Sequence, residues 1–240
     1  MPGPTDLALV VLFAAAWPLF EHFYMWPRHV RAVAAGEPMA RTRAYQRTLV
    51  EQWTLTALVV AALLTAGRPS AAVGLTMPHG WRLWLGVALP VAYVAVVLTQ
   101  ARALFARPSS VAALRASLAP LRALLPHTAS EYAWFRPLAV TAGICEEFLY
   151  RGYLVWVLAA WIGMWAAAGL SMVVFGLAHC YQGRAYATRA FGAGVAKGLI
   201  ALATRSLLPG MVLHAAIDLA GGWITHRVLN TPEPTAVPAA

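Results

Sequence analysis

Three mostly apolar stretches of the chain each carry a small group of polar or aromatic residues at a spacing of four. The groups are Glu146, Glu147 and Arg151 in TAGICEEFLYRGYLVWVLAA, Phe175 and His179 in VVFGLAH, and His214 and Asp218 in LLPGMVLHAAIDLAGGW. An ionisable side chain near the centre of a bilayer costs roughly 2.5–3.5 kcal/mol on insertion scales. Such residues therefore face a protein interior or a water-filled cavity, and three helices that each carry them predict one shared site.

The spacing within each group predicts which side chains face each other. Glu147 and Arg151 share a helix face and can form an ion pair. Glu146 is rotated by about 100° from Glu147, so the two carboxylates need different partners. If the three helices turn their polar faces inward, one pocket gathers four side chains. These are Glu146, His179, His214 and Asp218.

Two kinds of hydrolytic chemistry fit such a pocket. A carboxylate beside a histidine can remove a proton from water, while a second histidine stabilises the developing oxyanion. Alternatively, two histidines and carboxylates can bind zinc and leave one position open for water. Both schemes attack a carbonyl group with an activated water, and no Ser or Cys stands in an obvious nucleophile setting.

The composition places these groups in a membrane protein. Of the 240 residues, 60% are hydrophobic and 11% are charged, whereas a soluble domain carries about 25% charged residues. The 18 basic residues outnumber nine acidic ones, but the chain lacks the polar surface of a soluble nucleic-acid-binding domain. Two cysteines in apolar runs indicate neither a disulfide framework nor a Cys-based zinc site. We expect an all-α, polytopic bundle and no nucleic-acid partner.

Seven segments are candidates for membrane spans of about 20 apolar residues each. They lie at about 7–25, 49–66, 83–101, 137–159, 161–180, 190–204 and 207–226. No basic residue precedes the first segment, which predicts an uncleaved span. The segment 190–204 is short and contains Lys197, which is either a buried counter-charge or a side chain that snorkels to an interface. Its glycines include a small-xxx-small spacing that permits close helix approach.

The arginines predict the orientation of the bundle. With seven spans, thirteen basic residues fall on one side and three on the other, which places the C-terminus in the cytoplasm. The larger group is Arg28, Arg31, Arg41, Arg43, Arg47, Arg102, Arg107, Arg115, Arg122, Arg136, Arg184, Arg189 and Arg227. The smaller group is Arg68, Arg82 and Arg205. On the richer side, residues 111–125 predict an amphipathic helix that either lies on the anionic leaflet or caps the bundle.

The three motifs resemble those of the CPBP (Abi) family of intramembrane proteases, which are related to the type II CAAX prenyl proteases. That family carries EExxxR on one helix, FxxxH on a second, and HxxxN or HxxxD on a third. The resemblance covers about 137–222 and rests on three motifs in order, whereas residues 1–136 are supported only by hydrophobicity. The seven apolar segments, and the eight that the family's founding enzyme leads one to expect, give a prediction of 7–8 transmembrane helices, and the chain is expected to have three regions. These are N-terminal helices with the amphipathic segment (1–136), a catalytic core (137–226) and a disordered tail (227–240).

The resemblance also implies a role for each matched residue. Glu146 and His179 would activate water, and His214 and Asp218 would stabilise the oxyanion. Three others would organise the site, namely Glu147, Arg151 and Phe175. Where the prenyl protease has Asn, this chain has Asp218, which would be protonated or would orient His214. A metal-free mechanism with no cofactor is favoured, and zinc bound by the four pocket residues is the alternative.

The expected activity is that of an intramembrane endopeptidase acting on a membrane-associated protein or peptide, with lipidated substrates included. The residue usage suggests a bacterial inner membrane. Two other functions stay open, a catalytically silent scaffold or immunity factor and a proton-coupled transporter. A transporter would predict internal repeats, and no two halves with corresponding patterns occur in the sequence.

Overall fold

The computed structural model describes residues 1–232, and these residues form helices without any β-strand. Residues 233–240 of the predicted tail lie outside the described part. Apart from three short 3-10 turns, residues 1–232 contain seven long helical segments and one short α-helix. They are α1 (Pro4–Ala34), α2 (Ala40–Thr65), α3 (Trp81–Phe105), the short α4 (Pro108–Ser117), α5 (129–162), α6 (Met164–Ala178), α7 (Arg184–Thr204) and α8 (Leu208–Asn230). The expectation of an all-α protein is confirmed.

Four helical segments are long and apolar enough to cross a membrane. They are Pro4–Ala34, Ala40–Thr65, Trp81–Phe105 and Met164–Gln182. The other three long helices, α5, α7 and α8, carry most of the ionisable groups that the sequence placed inside apolar runs. The protein is therefore an integral membrane helix bundle, while the full number of spans, seven or eight, stays a prediction.

Each predicted span falls on one long helix, but most of the helices are longer than the apolar windows. The segment 190–204, for example, belongs to the 21-residue helix Arg184–Thr204. Helices extend beyond the apolar zone because polar residues also form helices outside the bilayer. The last helix runs to Asn230, past residue 227 where the tail was predicted to begin, because Val228 is fully buried.

Helix α5 changes its winding at the residues that carry the first motif. It starts at a capping box in which Thr128 Oγ1 accepts from Glu131 N and Glu131 Oε2 accepts from Thr128 N. It is α-helical to Glu146, π-helical over Glu147–Leu154, and α-helical again to Ile162. The wider π turn is rare and is frequently found at functional sites, although α1 also contains two π segments, Leu12–Ala16 and Glu21–Met25. All eight residues of the π segment are buried.

Close helix contacts depend on glycines in α5 and α7. A β-carbon on Gly143 would lie 2.7 Å from the backbone nitrogen of Ala215 and 2.9 Å from the carbonyl oxygen of Met211, so α5 and α8 touch at their backbones. In α7, a β-carbon on Gly194 would lie 2.8 Å from Arg151 Nη2. The same β-carbon would lie 3.2 Å from Phe175 Cδ1 of α6, so small residues, which allow such approach in membrane bundles, bring α5 against α8 and α7 against both α5 and α6.

The two ends of the bundle are closed by different contacts. At one end, Asp6 Oδ1 of α1 accepts from Arg68 Nη1 and from Tyr153 Oη, both at 2.6 Å. At the other end, the apolar face of α4 packs on α3 and α8, and the cluster includes the buried side chains of Val111 in α4 and Val228 in α8. The predicted amphipathic helix over 111–125 ends at Ser117 and is followed by a short 3-10 turn that contains Pro120, and its place on the leaflet or as a cap of the bundle stays a prediction.

Candidate active site

The four pocket residues predicted from the sequence line a single cavity of about 450 Å³. Glu146 enters from α5, His179 from the end of α6, and His214 and Asp218 from α8. The lining continues toward the end of the bundle where α1 ends and α4 lies, with Trp26 among its residues. The structure thus brings together side chains separated by as many as 72 positions in the chain.

Beneath this cavity, the Glu147 carboxylate has three partners on one oxygen. Its Oε1 lies 3.3 Å from Arg151 Nη1, 3.1 Å from Lys197 Nζ and 2.8 Å from His214 Nδ1. Each of the four side chains is at most 7% exposed. Lys197 is thus a buried counter-charge of Glu147, which settles the choice left open by the sequence. Two cations and one carboxylate need one another here, because an unpaired buried charge is strongly destabilising.

The hydrogen bond to Glu147 fixes the orientation of the His214 ring. An ionised carboxylate only accepts hydrogen bonds, so the hydrogen lies on Nδ1 of the imidazole. This arrangement leaves Nε2 facing the cavity. The group that orients His214 is therefore Glu147, although the sequence had offered Asp218 for that role.

Two further carboxyl groups face the free nitrogen of His214. Glu146 Oε2 lies 3.8 Å from Nε2, and Asp218 Oδ2 lies 3.7 Å from it. Both distances exceed a direct hydrogen bond but are too short for an oxygen atom to lie between the two atoms, so a shared water would contact them from the cavity side. The side chains of Glu146 and Asp218 are 17% and 29% exposed, so they meet the cavity, unlike Glu147 at 1%. The two adjacent glutamates thus have different surroundings, as the helical rotation predicted.

His179 and Phe175 form the wall on the α6 side. His179 Nδ1 is 2.8 Å from the carbonyl oxygen of Phe175, which leaves its Nε2 for other partners. The Phe175 ring is 2% exposed and lies 3.9 Å from the Arg151 guanidinium carbon, a cation–π contact. Within residues 1–232, His179 and Glu146 share the cavity without a direct hydrogen bond.

Sequence reasoning missed one side chain at this site, Gln52 of α2. Its Nε2 donates to Glu146 Oε1 at 2.8 Å. The neighbouring Trp53 Nε1 donates to Thr141 Oγ1 at 3.1 Å, which ties α2 to α5. A polar residue at 52 precedes an apolar run, but nothing in the spacing pairs it with a residue 94 positions away.

The residues as placed do not assemble a metal site. Within the described part of the chain, no three His, Cys, Asp or Glu side chains are arranged to hold a metal ion. His214 Nδ1 and His179 Nδ1 both have protein partners at 2.8 Å. The donor atoms that remain face a shared space but do not converge as a ligand set.

One segment of the chain matches the model of a known protein family. Residues 128–220 match the family model described as type II CAAX prenyl endopeptidase Rce1-like. This range contains all three motifs and the whole of the cluster around Glu147. Neither curated proteins nor solved structures gave a match to the chain.

Proposed function

Because the chain is Rce1-like over residues 128–220, we propose that it is an intramembrane endopeptidase in which Glu146 acts as general base. The observation that carries this proposal is the arrangement around His214 Nε2, where Glu146 and Asp218 stand 3.8 and 3.7 Å away in a cavity that His179 also lines. A water or a substrate carbonyl that enters from the cavity side can hydrogen-bond to these polar atoms.

In the proposed first step, a water held between Glu146 and His179 attacks the carbonyl carbon of the scissile peptide bond. Glu146 Oε2 takes the proton from this water, since Gln52 already occupies Oε1. A C–O bond forms, and the carbonyl electron pair moves to the oxygen. Such positioned proton transfer typically contributes a factor of about 10²–10⁴ to the rate.

In the second step, the oxyanion is stabilised at His214 and Asp218. One proton shared between His214 Nε2 and Asp218 Oδ2 supplies the donor, so Asp218 can replace the Asn of the family motif in its neutral form. The tetrahedral intermediate then collapses and the C–N bond breaks. Glu146 returns its proton to the departing amine, which balances the reaction as a hydrolysis to a carboxylic acid and an amine.

The proposed mechanism needs no metal ion or other cofactor. Zinc held by Glu146, His179, His214 and Asp218 is the competing scheme, and the Nδ1 contacts of both histidines, which leave each Nε2 free, suit that scheme as well. The proposed substrate is a membrane-associated protein or peptide, with lipidated substrates as one class to compare. The proposed location is a bacterial inner membrane with the C-terminus in the cytoplasm.

The first test compares protein termini in host membranes that carry wild type or Glu146→Gln at matched levels. New termini that occur only with wild type support proteolysis and reveal the substrate and its cut site. Sorting the cut proteins by lipidation then defines the substrate class. If the termini are equal while the folded variant keeps the host phenotype, proteolysis is refuted and a scaffold or transporter takes its place.

A further inference from the structure

Gln52 lies outside the Rce1-like segment but is bonded to the proposed catalytic base. The segment begins at residue 128, whereas Gln52 belongs to α2, 94 positions before Glu146. The 2.8 Å separation of Gln52 Nε2 from Glu146 Oε1 is a short hydrogen bond to a carboxylate oxygen. The N-terminal half of the chain therefore contributes directly to the site.

The direction of this hydrogen bond follows from the chemistry of the two groups. A carboxylate offers only acceptors, so the amide must turn its NH₂ group toward Glu146. The carbonyl oxygen of Gln52 then points elsewhere. It is buried and has no hydrogen-bond partner among the described residues.

The position of Gln52 is fixed by its helix. Trp53 Nε1 donates to Thr141 Oγ1 of α5, which holds α2 in register with the helix that carries Glu146. The bond from Gln52 occupies Oε1 and leaves Oε2 turned toward His214. The amide thus determines which oxygen of the base meets the reacting water.

We propose that Gln52 is a positioning residue that holds Glu146 in the orientation needed for proton transfer. This inference rests on the proposed endopeptidase function. It predicts an effect on the chemical step more than on substrate affinity, because the contact orients the base.

The test uses the full-length purified protein and a peptide that spans the cut site mapped by the terminal comparison. Gln52→Met keeps the length of the side chain and removes both hydrogen-bonding groups. We expect kcat to fall by about 10- to 100-fold, the equivalent of one hydrogen bond to a charged group. KM should change by less than threefold or so, and the thermal midpoint should match that of wild type.

A matched control and a second variant distinguish a loss of orientation at Glu146 from a loss of folding. Thr54→Ala removes an exposed hydroxyl on the same helix, which bonds only to the carbonyl of Val50, and should leave kcat unchanged. Gln52→Glu keeps the shape and the acceptors but donates poorly, so its kcat should also fall. It serves as the decisive variant if Gln52→Met fails to fold.

The outcomes distinguish this inference from the function on which it rests. Wild-type kcat in folded Gln52→Met or Gln52→Glu, with Glu146→Gln inactive, overturns the role of Gln52 and leaves the endopeptidase intact. A loss of kcat/KM that comes only from a higher KM, with kcat unchanged, also overturns the role of Gln52. If no cut site depends on Glu146, the function fails, and the assignment of Gln52 fails with it.

Discussion

Glu147 joins three helices at one carboxylate oxygen, and this makes its contribution to stability unusual. Its partners come from its own helix, from α7 and from α8. Removing the carboxylate would leave two buried cations without a counter-charge, whereas removing one cation leaves a balanced pair. Loss of the Glu147 carboxylate should therefore lower the stability of the protein more than loss of either cation.

We expect Glu147→Ala to destabilise the protein by about 3–5 kcal/mol, the cost of breaking a buried ion pair by loss of one partner. Lys197→Met should cost less, because Arg151 still pairs with Glu147. Thermal unfolding in detergent measures both. Glu146→Gln serves as the control, since its side chain meets the cavity and should change stability by less than about 1 kcal/mol. Equal losses for Glu147→Ala and Lys197→Met would refute the charge argument.

The metal-free scheme makes a prediction about the same group of residues. Purified protein should contain no stoichiometric zinc, and a strong chelator should leave its activity unchanged. Elemental analysis of wild type, His179→Ala and His214→Ala provides the measurement. One zinc per wild-type chain that disappears in both variants would establish the metal scheme instead.

At the scale of the helices, the contact between α5 and α8 sets the distance between Glu146 and His214. Gly143→Ala would force the two backbones apart, because its β-carbon would lie 2.7 Å from Ala215 N. We expect a loss of about 1–3 kcal/mol, as for overpacking. Gly192→Ala is the control, since nothing lies within 4 Å of its β-carbon, and it should be neutral or slightly stabilising. A wild-type unfolding midpoint for Gly143→Ala would contradict the packing.

The helices themselves could be predicted from the sequence because apolar length is a direct consequence of the bilayer thickness. The shared pocket could be predicted too, since the cost of burying charge forces the three polar faces inward. The π-helical turn at Glu147–Leu154 could not, because it depends on how the helix packs. The partners of Lys197 and Gln52 were also beyond reach, since tertiary contacts across 50 to 94 positions leave no trace in local spacing.

At the scale of the whole molecule, the cavity and the basic residues share one end of the bundle. The lining includes Trp26 near the end of α1 and Leu121 next to α4, and this is the end where most arginines cluster. The opposite end carries the contact of Asp6 with Arg68. The positive-inside rule then predicts that substrate reaches the site from the cytoplasm.

We expect a fluorescent protein fused after the last residue to fold and fluoresce, and alkaline phosphatase at the same place to be inactive. After residue 78, in the loop between α2 and α3, the fluorescent protein should not fluoresce and the phosphatase should be active. Reporter activity in intact cells is the measurement. Active phosphatase at the C-terminus would reverse the orientation and move the entrance to the outer face.

The contacts of Glu147 Oε1 with three helices also predict how amino-acid substitutions affect the amount of this protein. Substitutions at Glu147, Arg151 or Lys197 would reduce the amount of protein in the membrane as well as its activity, so abundance and turnover would fall together in a deep mutational scan. Changes at Glu146 or Asp218 would leave abundance intact and abolish turnover. A library scored on both measures would therefore separate the residues that hold the site together from those that carry out the reaction.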